Sequence, residues 1–180
     1  MTNTSSVVVA FVHRPGWLRA RTLTRLAAGY LLWILAGLAA SCSDTALTDT
    51  NVAIDDRRWD YENKPRIEVD VADASQRYDV FLNLRHTNKY TYSNIFVLLH
   101  QHDPDGGRDT TRVEIRLAAP DGRWLGSGSG AIFSHQHLVR DNYTFPDTGR
   151  YVFLIEQNMR ENPLPEVTDV GIRIAPATNP

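Results

Sequence analysis

The sequence predicts an all-β domain, an antiparallel β-sandwich of jelly-roll or immunoglobulin-like type over residues 64–176. Three observations carry that expectation. Apolar residues recur at a spacing of two in several short runs, the period of a strand with one buried face. Turn residues interrupt these runs about every ten positions, as in small sandwiches. No stretch of this region keeps an apolar face in helical phase over three turns.

The alternation begins at Arg66–Val71, where Ile67, Val69 and Val71 share a face. Tyr78–Arg85 repeats it, with Tyr78, Val80, Leu82 and Leu84 on one side and Asp79, Phe81, Asn83 and Arg85 on the other. Asn94–Gln101 is almost continuously apolar, as expected of a central strand covered on both faces. The turn Asp103-Pro104-Asp105-Gly106-Gly107 separates it from Val113, Ile115 and Leu117, which alternate with Arg112, Glu114 and Arg116. Pro120-Asp121-Gly122 makes another turn, and Gly126–Gly130 reads as a flexible Gly/Ser loop. Asp147-Thr148-Gly149 leads into Tyr151, Phe153 and Ile155, and Val170, Ile172 and Ile174 close the domain. Residues 177–180 read as a disordered tail. Roughly six to eight strands result.

Upstream of the sandwich, the only cysteine sets the organisation. Arg14, Arg19, Arg21 and Arg25 precede an apolar run from Ala27 to Ala40, which closes in Leu38-Ala39-Ala40-Ser41-Cys42. A positive flank, a short apolar core and small residues at the cut make residues 1–41 a secretory signal peptide. The core falls short of the roughly 20 apolar residues that span a bilayer. Small residues ahead of a cysteine resemble a bacterial lipobox, so Cys42 is expected to be the acylated residue. Leu38 stands fourth before the cysteine, where lipoboxes usually place leucine third. The alternative is an ordinary signal peptide followed by an unmodified thiol. Residues 42–63 are polar and acidic without sustained periodicity and read as a lipidated tether, with Trp59 and Tyr61 beginning to dock on the domain.

Charge and cysteine use narrow the function. The leader holds four of the 19 basic residues and none of the 21 acidic ones, which leaves 15 against 21 and a net charge of −6. That balance argues against nucleic acid and against a polybasic grip on anionic lipid. With one cysteine no intramolecular disulfide forms, so stability rests on the core.

No pattern marks an enzyme. Gly126-Ser127-Gly128 lies in a loop, not in a strand-to-helix elbow, and the glycine–serine run has no following lysine for a phosphate cradle. The Asp103–Gly107 turn lacks the spaced acceptors of a calcium loop. His100/His102 and His135/His137 could each present two imidazoles on one strand face, but nothing in the sequence joins the pairs. No catalytic residue, metal or other cofactor is therefore assigned.

The aromatic and amide residues between strands are more suggestive. Arg85, Asn88, Tyr90, Tyr92 and Asn94 cluster around one connection, Trp124 sits in a turn, and Gln157–Pro165 interrupts the alternation with Arg160 in its middle. Tyrosine and tryptophan offer rigid amphipathic surface for a protein partner or a sugar. Arg85, Asn88, Tyr90, Tyr92, Asn94, Trp124, Gln157 and Arg160 are the candidate partner-binding residues. The alternative is that the aromatics cap the sandwich as part of its core.

Four motifs in order make the chain similar to a known family. They are Tyr78–Asn88 continuing to Tyr92-Ser93-Asn94, then Pro120–Gly126, then Ile155–Arg160, then Pro163-Leu164-Pro165 with Asp169–Arg173. They resemble the signature of GldH-family gliding-motility lipoproteins of the Bacteroidota, over roughly residues 45–175. The resemblance implies a non-catalytic, lipid-anchored envelope protein needed for surface gliding and tied to the type IX secretion apparatus. Envelope proteins of that machinery would then be its partners, with a glycan-binding or purely structural envelope lipoprotein as alternatives. Ser43 after the cysteine is compatible with transport to the outer membrane, where the periplasmic face is favoured over the cell surface.

Overall fold

The computed structural model describes residues 46–177, which lie within a compact unit spanning Thr45–Pro180. The expected signal peptide, Cys42, residues 43–45 and residues 178–180 of the expected tail lie outside the described residues. Eleven antiparallel strands occur among the described residues. β1 (Thr48–Ala53), β11 (Val167–Pro176), β4 (Arg77–Thr87), β8 (Ile132–Thr144) and β7 (Ser127–Ser129) form one sheet in that order. β3 (Arg66–Val71), β9 (Gly149–Gln157), β5 (Asn94–His102) and β6 (Arg108–Arg116) form the other. The two-residue strands β2 (Arg58–Trp59) and β10 (Leu164–Pro165) pair with each other. The expected β-sandwich is what forms.

Alternation explains the core. Val80, Leu82 and Leu84 of β4 and Val170, Ile172 and Ile174 of β11 belong to the same buried cluster as Ile95, Val97 and Leu99 of β5 and Phe153 and Ile155 of β9. Leu82, Leu84, Ile95, Val97, Leu99, Ile155, Val170, Ile172 and Ile174 are fully buried. On β5 the other face is half-buried, so this central strand is covered fully on one side only. Arg140 of β8 ties the two sheets together at one side. Its guanidinium donates to Gln101 Oε1 at 2.8 Å and to Asp109 Oδ2 at 2.5 Å, and lies 4.6 Å from the Tyr143 ring centroid.

Three expectations need correction. Much of the segment read as a tether is strand: Thr48–Ala53 pairs with β11 from Thr48↔Ile174 to Ala53↔Asp169, and Arg58–Trp59 pairs with β10. An edge strand needs few apolar side chains, because its backbone ladder supplies the pairing. The Gly/Ser segment contains β7, paired with β8 at Ser127↔Ser134. β8 itself, thirteen residues long, has no apolar alternation because much of its length is exposed or half-buried. Beyond β11, Ala177 donates its N–H to Arg77 O at 2.9 Å, so this first residue of the expected tail is held by the domain.

Strand direction gives the sandwich two poles. Loops 54–65, 88–93, 117–126 and 158–163 lie at one pole, with the start of β5 and the ends of β4 and β9. The start of β1 lies at the other, with loops 72–76, 103–107 and 145–148. Hydrogen bonds across the loops tie the first pole together: Leu117 N–H to Ser93 O at 2.8 Å, and Tyr61 Oη–H to Met159 O at 2.6 Å.

Trp59 is fully buried, and its indole donates to Asn63 O at 2.8 Å. Trp59→Ala should therefore cost about 3–5 kcal/mol of unfolding free energy in urea titrations. Arg58→Ala, exposed on the same short strand, should stay within about 0.5 kcal/mol of the parent. Equal small effects would show that residues 54–63 are an appendage rather than part of the core.

Candidate functional site

The loop Asn158–Pro163 is the centre of the first pole, and a buried amide holds it from beneath. Gln157, the last residue of β9, is only 1% exposed. Its Nε2 donates to Glu161 O at 3.1 Å, and its Oε1 accepts the Met159 N–H at 2.8 Å. Satisfying both ends of a buried amide avoids a penalty of about 1–3 kcal/mol for each orphaned group. Above the amide, Asn158 N–H bonds Phe96 O at 2.8 Å, and the Phe96 N–H contacts Met159 Sδ at 3.3 Å.

Residues 54–63 brace the same loop from the other side. Tyr61 N–H donates to Asn162 Oδ1 at 2.9 Å, next to the cis Asn162–Pro163 peptide. Farther along, Glu166 N–H bonds Arg57 O at 2.7 Å, Glu166 O accepts the Thr87 N–H at 2.9 Å, and Thr87 Oγ1 donates to Glu166 Oε2 at 2.5 Å. Asp56, Arg57 and Glu166 all hold φ between +50° and +68°, in the left-handed region that non-glycine residues seldom occupy. Such backbone persists only where surrounding bonds over-determine it, which the Arg57–Glu166–Thr87 bonds do.

On this frame a cleft of about 340 Å³ opens, lined by Tyr92, Phe96, Arg112, Asn158, Met159 and Arg160. Its floor is an aromatic ring and a thioether. The Arg112 guanidinium lies 4.0 Å from the Phe96 ring centroid and donates from Nε to Asn158 Oδ1 at 3.0 Å. Neither Arg112 nor Arg160 pairs with a carboxylate among the described residues. Tyr92, 36% exposed, donates its hydroxyl to Glu161 at 2.8 Å. That hydrogen bond raises the phenol's pKa above its ordinary value. The cleft thus combines an apolar seat with two cations.

The sequence candidates divide around this cleft. Tyr92 and Arg160 line it, and Asn94 stands beside it, donating to Glu114 Oε1 at 2.7 Å. Asn88 is exposed on the neighbouring loop. Two candidates are corrected. Tyr90 is 4% exposed, its ring 5.8 Å from Tyr92 and 5.2 Å from His86, and burial pushes its phenol up. Gln157 is buried beneath the loop, so neither residue offers surface to a partner. Trp124 is half-buried, its ring centroid 4.5 Å from His86, and serves the domain's own packing. Arg85 lies away from the cleft, bonded to Asp169 Oδ1 at 2.5 Å. Sequence reading missed Phe96 and Arg112; their signal is an aromatic out of phase with Ile95, Val97 and Leu99, and an arginine on the partner strand.

The two His-x-His pairs sit on different sheets, on β5 and β8. His100 is held by Thr110 Oγ1 and Glu156 Oε2, both at 2.9 Å. No metal-holding group of three or more His, Cys, Asp or Glu occurs among the described residues. His135 instead meets His86, Nε2 to Nε2 at 3.0 Å. His86 Nδ1 lies 2.8 Å from Thr87 O, a group that only accepts, so Nδ1 carries the proton. His86 Nε2 then accepts, and His135 Nε2–H donates. Burial lowers both pKa values, and the neighbouring His86 helps bring His135 to about 4.

With the geometry in hand, comparison places the chain among known sequences. The sequence model of the family described as GldH lipoprotein matches residues 46–174. A gliding motility lipoprotein GldH homolog of Christiangramia forsetii is 32% identical over 149 residues, covering 79% of this chain and 91% of that protein. The gliding motility lipoprotein GldH of Flavobacterium johnsoniae is 28% identical over 151 residues, covering 80% and 93%. No solved structure matches.

The histidine pair makes stability pH-dependent. Well above pH 6.5 both imidazoles are neutral whether the chain is folded or not. As pH falls from about 6.5, where a free histidine titrates, towards about 4, the unfolded chain takes up protons first and folding loses stability. The thermal midpoint should drop across that window, and His135→Gln should flatten part of the drop. An identical pH profile in His135→Gln would show that the pair does not titrate as described.

Proposed function

The chain belongs to the GldH lipoprotein family, and on that premise we propose how a gliding motility lipoprotein of the cell envelope does its work. Acyl chains on Cys42 hold it in the outer membrane, on the periplasmic face. One chain alone binds marginally, and each buried methylene adds about 0.8 kcal/mol, so several chains on one residue give a lasting anchor. Five residues, Ser43 to Leu47, separate Cys42 from β1. Even fully extended they reach about 20 Å. The anchor therefore enters at the pole where β1 starts, and the Tyr92–Arg160 cleft is carried at the pole facing away.

The function follows from that polarity: the protein supports gliding and type IX secretion through protein–protein contacts made at the membrane-distal pole, without catalysis. The observation that carries this reading is the cleft itself, an apolar floor flanked by two guanidiniums that form no ion pair with a carboxylate among the described residues. Charge complementarity favours an envelope protein that presents an acidic segment with an apolar anchor residue.

The test is a gene deletion rescued by three copies: wild type, Cys42→Ala and the double variant Arg112→Glu/Arg160→Glu, with proteins in the medium measured by mass spectrometry. Wild type should restore type IX cargo. Cys42→Ala should not, and should lose palmitate labelling. The double variant should accumulate normally yet export at least fivefold less cargo. An unchanged secretome in the deletion would separate the protein from secretion. Full rescue by the double variant would remove the cleft from the contact surface.

A further inference from the structure

A second concave feature lies on a sheet face rather than at a pole. The solvent side of the five-stranded sheet forms a groove of about 430 Å³, lined by Asp49, Asn51, Asn83, Arg85, Ser134 and Gln136 among others. These residues come from β1, β4 and β8, three strands brought side by side through β11. Nothing in core packing requires them, since the core residues Val80, Leu82 and Leu84 of β4 and Val170, Ile172 and Ile174 of β11 occupy the opposite face.

The polar groups are held in fixed positions by one another. Gln136 Nε2 donates to Asn83 Oδ1 at 3.1 Å, Asn83 Nδ2 donates to Asp49 Oδ1 at 2.9 Å, and Arg173 donates to Asp49 Oδ2 at 2.9 Å. Beside that chain, Arg85 Nε donates to Asp169 Oδ1 at 2.5 Å, and Thr168 Oγ1 donates to Asp169 Oδ2 at 2.9 Å. Asn83 is 9% exposed and Asp169 5%. Gly171 keeps the floor low. A Cβ there would stand 2.2 Å from Thr50 O and 2.4 Å from Asn51 Oδ1, so only glycine lets the Asn51 side chain lie against β11.

Two features of this arrangement select the ligand. First, each charge is matched: Arg173 with Asp49 and Arg85 with Asp169 leave the groove electrically neutral, unlike the cationic cleft at the pole. Second, the amide chain uses one donor hydrogen of Asn83 and one of Gln136, and each carboxamide has another hydrogen and further lone pairs. A row of oriented amides with spare donors and acceptors suits a neutral ligand dense in hydroxyls. Phe81 adds an apolar platform. It shares the face two residues along β4, about 7 Å away, with Leu138, 43% exposed, as its β8 register partner.

We propose that this face binds a neutral oligosaccharide or polysaccharide chain, with hydroxyls on the Asn83–Gln136–Asn51 amides and a sugar ring against Phe81. Pre-set side chains lower the ordering cost of binding, as expected of a carbohydrate groove that acts without conformational change. The groove is separate from the polar cleft and does not depend on the secretion reading.

The test uses the mature chain, residues 42–180, in detergent, with maltohexaose, cellohexaose and laminarihexaose as probes and polygalacturonate as the acidic control. Backbone amide shifts and calorimetry are recorded together. At least one neutral hexasaccharide should bind saturably with shifts confined to residues 49–51, 81–85 and 134–138, and polygalacturonate should not. Asn83→Ala should weaken binding about tenfold. Because that substitution also opens the Asp49 network, Phe81→Ala serves as a second variant with the same expected loss and an unchanged thermal midpoint. Absence of binding by all three hexasaccharides at millimolar concentration would overturn the proposal. So would shifts at Tyr92, Phe96 and Met159 instead, preference for polygalacturonate, or binding indifferent to both substitutions.

Discussion

The pairing of β1 with β11 is the constraint on which the rest of the domain depends. Six residues, Thr48 to Ala53, run in register along β11 from one pole to the other. That single ladder closes one edge of the five-stranded sheet. It brings Asp49 beside Arg173 and Asn51 beside Gly171, completing one wall of the polar groove. It also delivers residues 54–63 to the far pole, where Trp59 is buried and Tyr61 bonds the 158–163 loop. Only five residues lie between Cys42 and the first residue of this strand, so on the proposed acylation of Cys42 the same ladder sets which end of the domain lies near the anchor.

Rigidity at the far pole follows from how many independent bonds meet there. The loop after β9 is fastened from below by Gln157, from the side by Tyr61, and at its end by the β2–β10 pair and the Arg57–Glu166–Thr87 bonds. Loops that leave backbone groups to water open easily, whereas these groups are satisfied inside the protein. A contact surface built on such a frame loses little freedom when a partner arrives. The cleft and the sheet-face groove differ in sign as well as place. One holds two cations without an ion-pair partner among the described residues, and the other pairs its charges internally, so the two are suited to different chemistry.

Much of this was legible in the sequence. Ile67/Val69/Val71, Val80/Leu82/Leu84 and Tyr151/Phe153/Ile155 announce their strands because one face of each meets the core and period two follows. The short or exposed strands were not legible. β1 and β8 are held by backbone ladders and polar side chains, which leave no apolar period to read. The site was half legible for a related reason. An aromatic in a connecting segment reads the same whether it is exposed or buried: Tyr92 faces solvent and Tyr90, two residues earlier, packs on His86. Gln157 marks its loop in the sequence, yet it acts from inside, as the peg that shapes the surface. Arg112 and Phe96 were silent because their meeting depends on the β5–β6 register, which no local pattern encodes.

The central claim is polarity: anchor at the pole where β1 begins, contact surface at the pole facing away. Cys42 is the only cysteine, and the proposed acylation would consume its thiol, so a single introduced cysteine can be labelled cleanly. The most direct measurement is energy transfer from a donor at Asp105→Cys or at Arg160→Cys to acceptor-labelled lipid headgroups, using the lipidated chain reconstituted in vesicles. The account predicts strong transfer at position 105 and weak transfer at position 160, because strands of nine to thirteen residues separate the two poles by about 30 Å. Equal transfer from both positions, or stronger transfer from 160, would contradict it.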